Sequence, residues 1–125
     1  MPHSTVEYSE NLTEPFDRPL FAKGLHEALV RIAGGRAEGC KTRFVRLTET
    51  YIADGSAAYA LAHVQIGILS GRTPQVKREL AEAVLALLRE CTGPVPSAEV
   101  QFSVDVRDLD RETYARHEEP AAVRA

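Results

Sequence analysis

Residues 59–74 read YALAHVQIGILSGRTP and hold the clearest structural signal in the chain. Between residues 59 and 69 every even-numbered residue is apolar, a pattern typical of a β-strand with a buried face. Gly71 then breaks the alternation. Thr73 followed by Pro74 predicts the start of a helix, because threonine caps the first turn and proline fits where no N–H is needed. The stretch therefore predicts a buried strand that leads directly into a helix.

An apolar stripe continues along one face of this predicted helix. Its members recur at steps of four or three, and they are Val76, Leu80, Val84, Leu87 and Cys91. The helix is expected to end before the Gly-Pro-Val-Pro segment at residues 93–96. Strict alternation over residues 100–106 then predicts a half-buried strand. The second half of the chain therefore reads as β-α-β.

The first half repeats this plan with weaker signals. A short strand over residues 3–8 precedes a helical stripe that ends at Gly34-Gly35, and a second strand follows over residues 41–47. The stripe consists of Phe21, Leu25, Leu29 and Ile32. Between the halves, Asp54-Gly55 marks a tight turn, which predicts antiparallel pairing of the two strands that flank it.

The two halves together predict an α+β fold. Parallel strands joined through a helix need a right-handed crossover, so each half should place its two strands side by side in one sheet. The expected architecture is a double β-α-β, with a four-stranded mixed sheet and two helices on one face. Residues 1–108 are expected to form one domain with halves near 2–50 and 58–107. Residues 109–125 are expected to be a charged extension, either loose or draped over a partner subunit.

Composition narrows the classes of function. The chain has 125 residues, 44% of them hydrophobic, with a formal net charge of -3, so a nucleic-acid partner is not expected. Its apolar runs are shorter than the roughly 18 residues of a membrane span. Cys40 and Cys91 lie far apart without metal or redox spacing and are expected to be reduced and structural. We therefore expect a cytoplasmic protein with no metal, no cofactor and no membrane partner.

Pro2 carries the sharpest chemical hypothesis. Removal of Met1, which a small second residue permits, would leave a secondary amine held rigidly by the pyrrolidine ring, and that amine can act as a base. If Met1 stays, the same nitrogen is a tertiary amide and is inert. The alternative is a chance proline at the start of an edge strand.

Several short motifs together resemble the tautomerase superfamily and, within it, the 5-carboxymethyl-2-hydroxymuconate isomerase family. They are Pro2-His3, the segment VEYSENL at 6–12, Ala53-Asp54-Gly55, His63 and Gly71-Arg72. The resemblance extends from Pro2 to about Val106. It implies a homotrimer with pockets near subunit boundaries. It also implies a cofactor-free 1,3-proton shift on a small anionic substrate, an unsaturated 2-hydroxy (enol) polycarboxylate formed in the bacterial breakdown of homoprotocatechuate.

The resemblance assigns roles to individual residues. Pro2 matches the family's general base, and Arg72 matches an arginine that binds and polarises the substrate. Lys41 and Arg43 stand where the family has Arg-x-Arg, and a lysine is a single point of charge where arginine offers a planar fork. His3, next to the base, is a candidate lining residue. Nearby cations and partial desolvation should lower the pKa of the amine, so Pro2 is predicted to be substantially neutral at pH 7.

Each of these residues also has a simpler interpretation. Arg72 could be a solvated loop charge, Lys41 and Arg43 could form a solvated strand face, and His3 could be a surface residue. His63 is expected to be packed in a buried strand, and the alternative is that it reaches the pocket. At the level of function, the alternatives are a tautomerase for a different enol or ketoacid and a non-catalytic oligomeric binding protein with the same fold.

Overall fold

The computed structural model describes residues 2–122, which form one mixed sheet and two helices. The strands are β1 (His3–Ser9), β2 (Lys41–Leu47), β3 (Tyr59–Leu69) and β4 (Glu99–Leu109). Helix α1 (Arg18–Ala33) connects β1 to β2, and helix α2 (Pro74–Glu90) connects β3 to β4. Short 3-10 turns occupy Glu10–Leu12 and Ala37–Gly39. The double β-α-β predicted from the sequence is confirmed.

The sheet has the order β2-β1-β3-β4. Strand β1 is parallel to β2 and antiparallel to β3, and β3 is parallel to β4. The tight turn at Asp54-Gly55 is present, with the Gly55 N–H donating to the Ile52 carbonyl at 2.8 Å. Antiparallel pairing across it is wrong, because β1 lies between β2 and β3. Each crossover places a half's second strand on the outer side of its first, so the halves join through β1 and β3.

The helix boundaries follow the capping residues. Thr73 accepts a hydrogen bond from the Val76 N–H at 3.2 Å at the start of α2, as the Thr-Pro pair predicts. Asp17 caps α1 by accepting from the Leu20 N–H at 3.1 Å, and Gly34 ends that helix with φ of 70°. Local side-chain chemistry therefore determines where both helices begin and where α1 ends.

The core lies between one face of the sheet and the two helices. The even-numbered residues of β1 and β3 point into it and pack against apolar residues of both helices. The largest fully buried side chains include Val6, Phe21, Leu25, Ile66 and Leu80. Leu87 of the predicted stripe is only half-buried, and Leu88 takes the fully buried position. Leu87 packs instead against α1, where a Cβ added at Gly24 would meet its Cδ2 at 2.7 Å. Within residues 2–122, no helix covers the other face of the sheet.

Ser4 is an exception in this core. Its side chain is fully buried, and its Oγ has no hydrogen-bond partner among residues 2–122. A buried hydroxyl without a partner costs free energy, so Ser4→Ala is expected to raise the free energy of unfolding by about 1 kcal/mol in urea denaturation. Ser9 is the matched control, because its Oγ donates to Asn11 and accepts from the Leu61 N–H. Ser9→Ala should lower stability, and a similar loss in Ser4→Ala would contradict the prediction.

Candidate active site

The amino-terminal end of β1 is where the topology gathers the predicted site residues. Because β2 is parallel to β1 and β3 is antiparallel, the starts of β1 and β2 meet the end of β3, with His3 opposite both Lys41 and Gly67. Pro2 is fully buried at this end. Its carbonyl accepts from the Lys41 N–H at 3.1 Å. Its ring lies against Gly35, where an added Cβ would come within 3.2 Å of the proline Cγ.

Arg72 is held by backbone carbonyls at the same end of the sheet. Its Nε and Nη2 donate to the Ala33 carbonyl at 3.0 and 2.8 Å, and Nη1 donates to the Leu69 carbonyl at 2.9 Å. The guanidinium thus satisfies the last residue of α1, whose carbonyl has no partner within the helix, and complements the negative end of the helix dipole. The interpretation of Arg72 as a solvated loop charge is wrong. Three of its five N–H donors are committed, which leaves two for a ligand.

Pro2 and Arg72 both contact the carboxy-terminal end of α1 and the residues that directly follow it. Arg72 binds the Ala33 carbonyl and the Pro2 ring lies against Gly35, so only Gly34 separates their contact points along the chain. The predicted base and the predicted substrate-binding arginine therefore lie at one end of the molecule, on the helix side of the sheet.

His3, Lys41 and Arg43 project from the opposite, open face of the sheet. Arg43 Nη2 lies 3.1 Å from His3 Nδ1, and Lys41 Nζ donates to the Gly39 carbonyl at 3.0 Å. Lys41 and Arg43 are both exposed. The four predicted cationic or histidine residues therefore fall into two groups, with Arg72 on one side of the sheet and the other three on the other. Adjacent residues of a strand point to opposite faces, which separates His3 from Pro2.

The surroundings of His3 favour its neutral form. Burial lowers the pKa of His3 below its ordinary value of 6.5, and the charges of Arg43 and Lys41 lower it further. Since the unfolded chain then binds the proton more readily, the folded state should lose stability as the pH falls below about 6.5. We expect the melting temperature of the wild type to fall more steeply than that of His3→Gln between pH 6.5 and 5. Parallel curves for the two proteins would contradict this expectation.

Two residues of the predicted extension belong to this end of the molecule and were not anticipated. The Tyr114 hydroxyl lies 2.7 Å from His3 Nε2, and Arg111 donates to the Ser70 carbonyl through Nε and Nη2 at 3.2 and 3.0 Å. Strand β4 also extends to Leu109, one residue past the domain boundary predicted at residue 108. Residues 110–114 are therefore anchored rather than loose. An aromatic residue within a charged segment was the one signal available in the sequence. Residues 123–125 of the predicted extension, like Met1, lie outside the described residues.

A shallow cavity of about 210 Å³ opens on the face of the sheet that carries His3. Its lining residues are His3, Thr5, Glu7, His63, Gln65, Gly67 and Leu109. His63 is half-buried there, with its Nδ1 at 2.6 Å from the Ser103 hydroxyl. His63 is therefore both packed, as expected, and part of a cavity wall.

The remaining candidates have little reactive character. Burial raises the pKa of the Cys40 and Cys91 thiols, which disfavours the thiolate that a nucleophile needs. Within residues 2–122, no group of three or more His, Cys, Asp or Glu side chains could hold a metal ion. No helix in the same part of the chain is long and apolar enough to cross a membrane.

Comparison with known proteins decides the family. A family model described as 5-carboxymethyl-2-hydroxymuconate isomerase matches residues 2–122. The chain belongs to this family. The match includes residues 109–122, so most of the predicted extension is part of the family's own domain. As a member of the 5-carboxymethyl-2-hydroxymuconate isomerase family, the chain is an isomerase.

Individual relatives agree with this assignment. The chain is 31% identical over 90 residues to a 5-carboxymethyl-2-hydroxymuconate Delta-isomerase from Escherichia coli, which covers 71% of each chain. A crystal structure of a 5-carboxymethyl-2-hydroxymuconate isomerase from Deinococcus radiodurans R1 superposes with a TM-score of 0.80 at 26% identity, covering 94% of this chain and 90% of that one. A fused 4-OT symmetric trimer superposes with a TM-score of 0.71 at 20% identity, covering 88% and 87%, and shares the tautomerase fold.

Proposed function

We propose that this isomerase catalyses a 1,3-proton shift on an unsaturated 2-hydroxy polycarboxylate such as 5-carboxymethyl-2-hydroxymuconate, with the Pro2 amine as the general base. One observation carries the proposal: Pro2 is fully buried at the end of a central strand, where the start of β2 and the Arg72 guanidinium also lie. A rigid amine at such a position can take a proton from one carbon and return it to another.

The same position should lower the pKa of the Pro2 amine. An α-amino group titrates at about 7.7–8.0, and desolvation and nearby cations both disfavour its charged form. Pro2 is buried, and its carbonyl accepts a hydrogen bond from the N–H of Lys41, a cationic residue. These features support a Pro2 amine that is largely neutral at pH 7 once Met1 has been removed.

The cations would bind and polarise the substrate. A proton shift through a dienol develops negative charge on an oxygen, and a positioned donor lowers the barrier. Arg72 has two N–H groups to offer from the helix side of the sheet. Lys41 and Arg43 offer charge from the open side and would attract the carboxylates of the substrate.

The proposal includes a homotrimer in the cytoplasm. No helix of the described part of the chain covers the open face of the sheet, and covering it with neighbouring copies would complete pockets at subunit boundaries. The fused 4-OT relative is named as a symmetric trimer. Light scattering on the purified chain should give three times the 13.7 kDa subunit mass. The cytoplasmic location depends on the prediction that both cysteines are reduced.

The deciding experiment combines mass and turnover. Mass spectrometry first establishes that the purified chain lacks Met1. The verified protein is then assayed with 5-carboxymethyl-2-hydroxymuconate by ultraviolet absorbance. Isomerisation clearly above the buffer rate is expected, and a rate equal to buffer would exclude this substrate.

Lys41 favours a second candidate within the same chemistry. A lysine cannot grip a carboxylate in two places as arginine does, so the preferred substrate could be a different enol or ketoacid. A panel of 2-hydroxymuconate, phenylenolpyruvate and 5-carboxymethyl-2-hydroxymuconate would separate the candidates. The first proposal expects the highest kcat/KM for the tricarboxylate, whereas a higher value for either smaller enol would favour the second.

A further inference from the structure

The carboxy-terminal segment after β4 folds back onto the start of β1. The N–H groups of Thr113 and Tyr114 both donate to the Asp110 carbonyl, at 3.1 and 3.0 Å, and close a turn. Arg111 fastens this turn to Ser70, at the end of β3, through two side-chain donors and its own backbone N–H. These contacts place Tyr114 beside His3, and the two rings pack edge to face with centroids 5.9 Å apart.

The hydrogen bonds of His3 determine which of its two ring nitrogens carries the proton. A guanidinium can only donate, so the Arg43 Nη2 group at 3.1 Å requires His3 Nδ1 to act as an acceptor. A neutral imidazole with an accepting Nδ1 carries its proton on Nε2. That N–H points to the Tyr114 oxygen at 2.7 Å. His3 therefore donates to Tyr114 and does not accept from it.

This assignment leaves the hydroxyl proton of Tyr114 available. Among residues 2–122 the hydroxyl makes one hydrogen bond, to His3, and in that bond its oxygen is the acceptor. The side chain is half-buried, so its hydroxyl is oriented by its contacts and is still partly open to solvent. Tyr114 thus presents an unused hydroxyl donor on an oxygen that His3 holds in place, and such a donor can bind an anion.

Two cations lie on the side of this donor that faces β1 and β2. Lys41 and Arg43 project from the same face of the sheet, and Arg43 touches the histidine that holds Tyr114. On this face of β1 the first acidic residue is Glu7, two positions beyond Thr5 and opposite His63. On the side of β1 and β2, a carboxylate beside Tyr114 would therefore meet a neutral donor and two cations. The acidic residues of the segment that carries Tyr114 are Asp110 and Glu112, and Asp110 Oδ1 accepts from the Glu112 N–H at 3.0 Å.

We propose that Tyr114 is a further substrate-binding residue, whose hydroxyl donates to a carboxylate of the polycarboxylate substrate beside Arg43. His3 is the positioning residue that orients this hydroxyl, and Arg111 anchors the segment that carries it. This inference rests on the proposed function for its substrate class. It adds a subsite on the face of the sheet opposite the Pro2 ring.

The test compares Tyr114→Phe with Tyr51→Phe. Each variant loses one hydroxyl, and Tyr51 is 81% exposed in the loop between β2 and β3. Two quantities are measured: KM for 5-carboxymethyl-2-hydroxymuconate, and the Kd of tricarballylate, an inert tricarboxylate, by calorimetry. Loss of a hydrogen bond to a charged group should raise both by about tenfold in Tyr114→Phe. Tyr51→Phe should match the wild type.

The His3 variants test the positioning role. His3→Gln keeps an N–H donor near the place of Nε2, whereas His3→Leu has none. We expect His3→Gln to retain most of the wild-type affinity for tricarballylate and His3→Leu to weaken it about as much as Tyr114→Phe does. If Tyr114→Phe does not fold, this pair decides the question. Equal affinities of the two His3 variants would then overturn the proposal.

The two measurements separate this inference from the proposed function. Normal turnover with unchanged KM and Kd in Tyr114→Phe would overturn the subsite and leave the function intact. Absence of turnover in the wild type, with weaker tricarballylate binding in Tyr114→Phe, would overturn the function and support the subsite. A wild-type chain that binds no tricarballylate overturns the subsite.

Discussion

Replacing Pro2 with alanine is expected to lower kcat/KM for 5-carboxymethyl-2-hydroxymuconate by about 100-fold, while the Kd of tricarballylate changes by less than about threefold. Alanine is also small enough to permit removal of Met1, so the variant still has a free amine. That amine rotates freely, whereas the pyrrolidine ring holds its nitrogen in one direction at the buried end of β1. The loss should therefore fall on proton transfer rather than on binding.

A chain that retains Met1 provides the sharper comparison. Its Pro2 nitrogen is a tertiary amide that cannot accept a proton, so the whole contribution of the general base, about 10²–10⁴-fold, should be lost. Tricarballylate binding reports whether the site is otherwise intact. Turnover by Met1-retaining protein at the wild-type rate would exclude Pro2 as the base.

Titration of the amine tests the same mechanism without a variant. Nitrogen-15 NMR of the Pro2 nitrogen in the processed chain should show a substantially neutral amine at pH 7, because burial and cations disfavour its charged form. A pKa well above 9 would mean that the amine is protonated under working conditions. That result would count against proton abstraction by Pro2.

Replacing Arg72 with alanine is expected to lower the free energy of unfolding by about 2 kcal/mol and to raise KM as well. The stability loss follows from the Ala33 and Leu69 carbonyls, which would lose three hydrogen bonds from one guanidinium. The rise in KM follows from the two remaining N–H groups, which are the proposed contacts of a carboxylate. Urea denaturation and steady-state kinetics measure the two effects separately.

Arg78→Ala is the matched control, since Arg78 is an exposed arginine on the neighbouring helix α2. It should change stability by less than about 0.5 kcal/mol and leave KM unchanged. Arg72→Lys should recover little, because a single ammonium cannot reach both carbonyls as the fork does. A normal KM in a destabilised Arg72→Ala protein would show that Arg72 is purely structural.

Most of the fold was predictable because its signals are local. The alternation over residues 59–69 and the Thr73-Pro74 cap each act within a few residues, and the structure places β3 and the start of α2 accordingly. The parallel pairing of β2 with β1 follows from the predicted crossover, whereas the junction between the two halves was not predictable in this way. The Asp54-Gly55 turn is real, yet the strand beside β2 is β1, because sheet order depends on the crossovers and not on the nearest turn.

The candidate site was only partly predictable. Pro2, His3, Lys41, Arg43 and Arg72 do lie at one end of the sheet, where strand direction brings them. Strand alternation separates Pro2 from His3, but the Ala33 carbonyl that holds Arg72 on the helix side of the sheet lies 39 positions away in the chain. The Tyr114–His3 contact spans 111 positions, and no local pattern encodes it.

Residue identity alone therefore established the elements, the two-fold repeat of β-α-β, the family and the presence of a potential base at position 2. These follow from short-range patterns of polarity and from the chemistry of single side chains. The folded chain alone decided which donors remain free. Arg72 donates three N–H groups to backbone carbonyls. The Tyr114 hydroxyl proton is left without an acceptor among the described residues, because Arg43 makes His3 the donor in the bond between His3 and Tyr114. These hydrogen bonds depend on distances between residues far apart in the chain, and no sequence pattern specifies those distances.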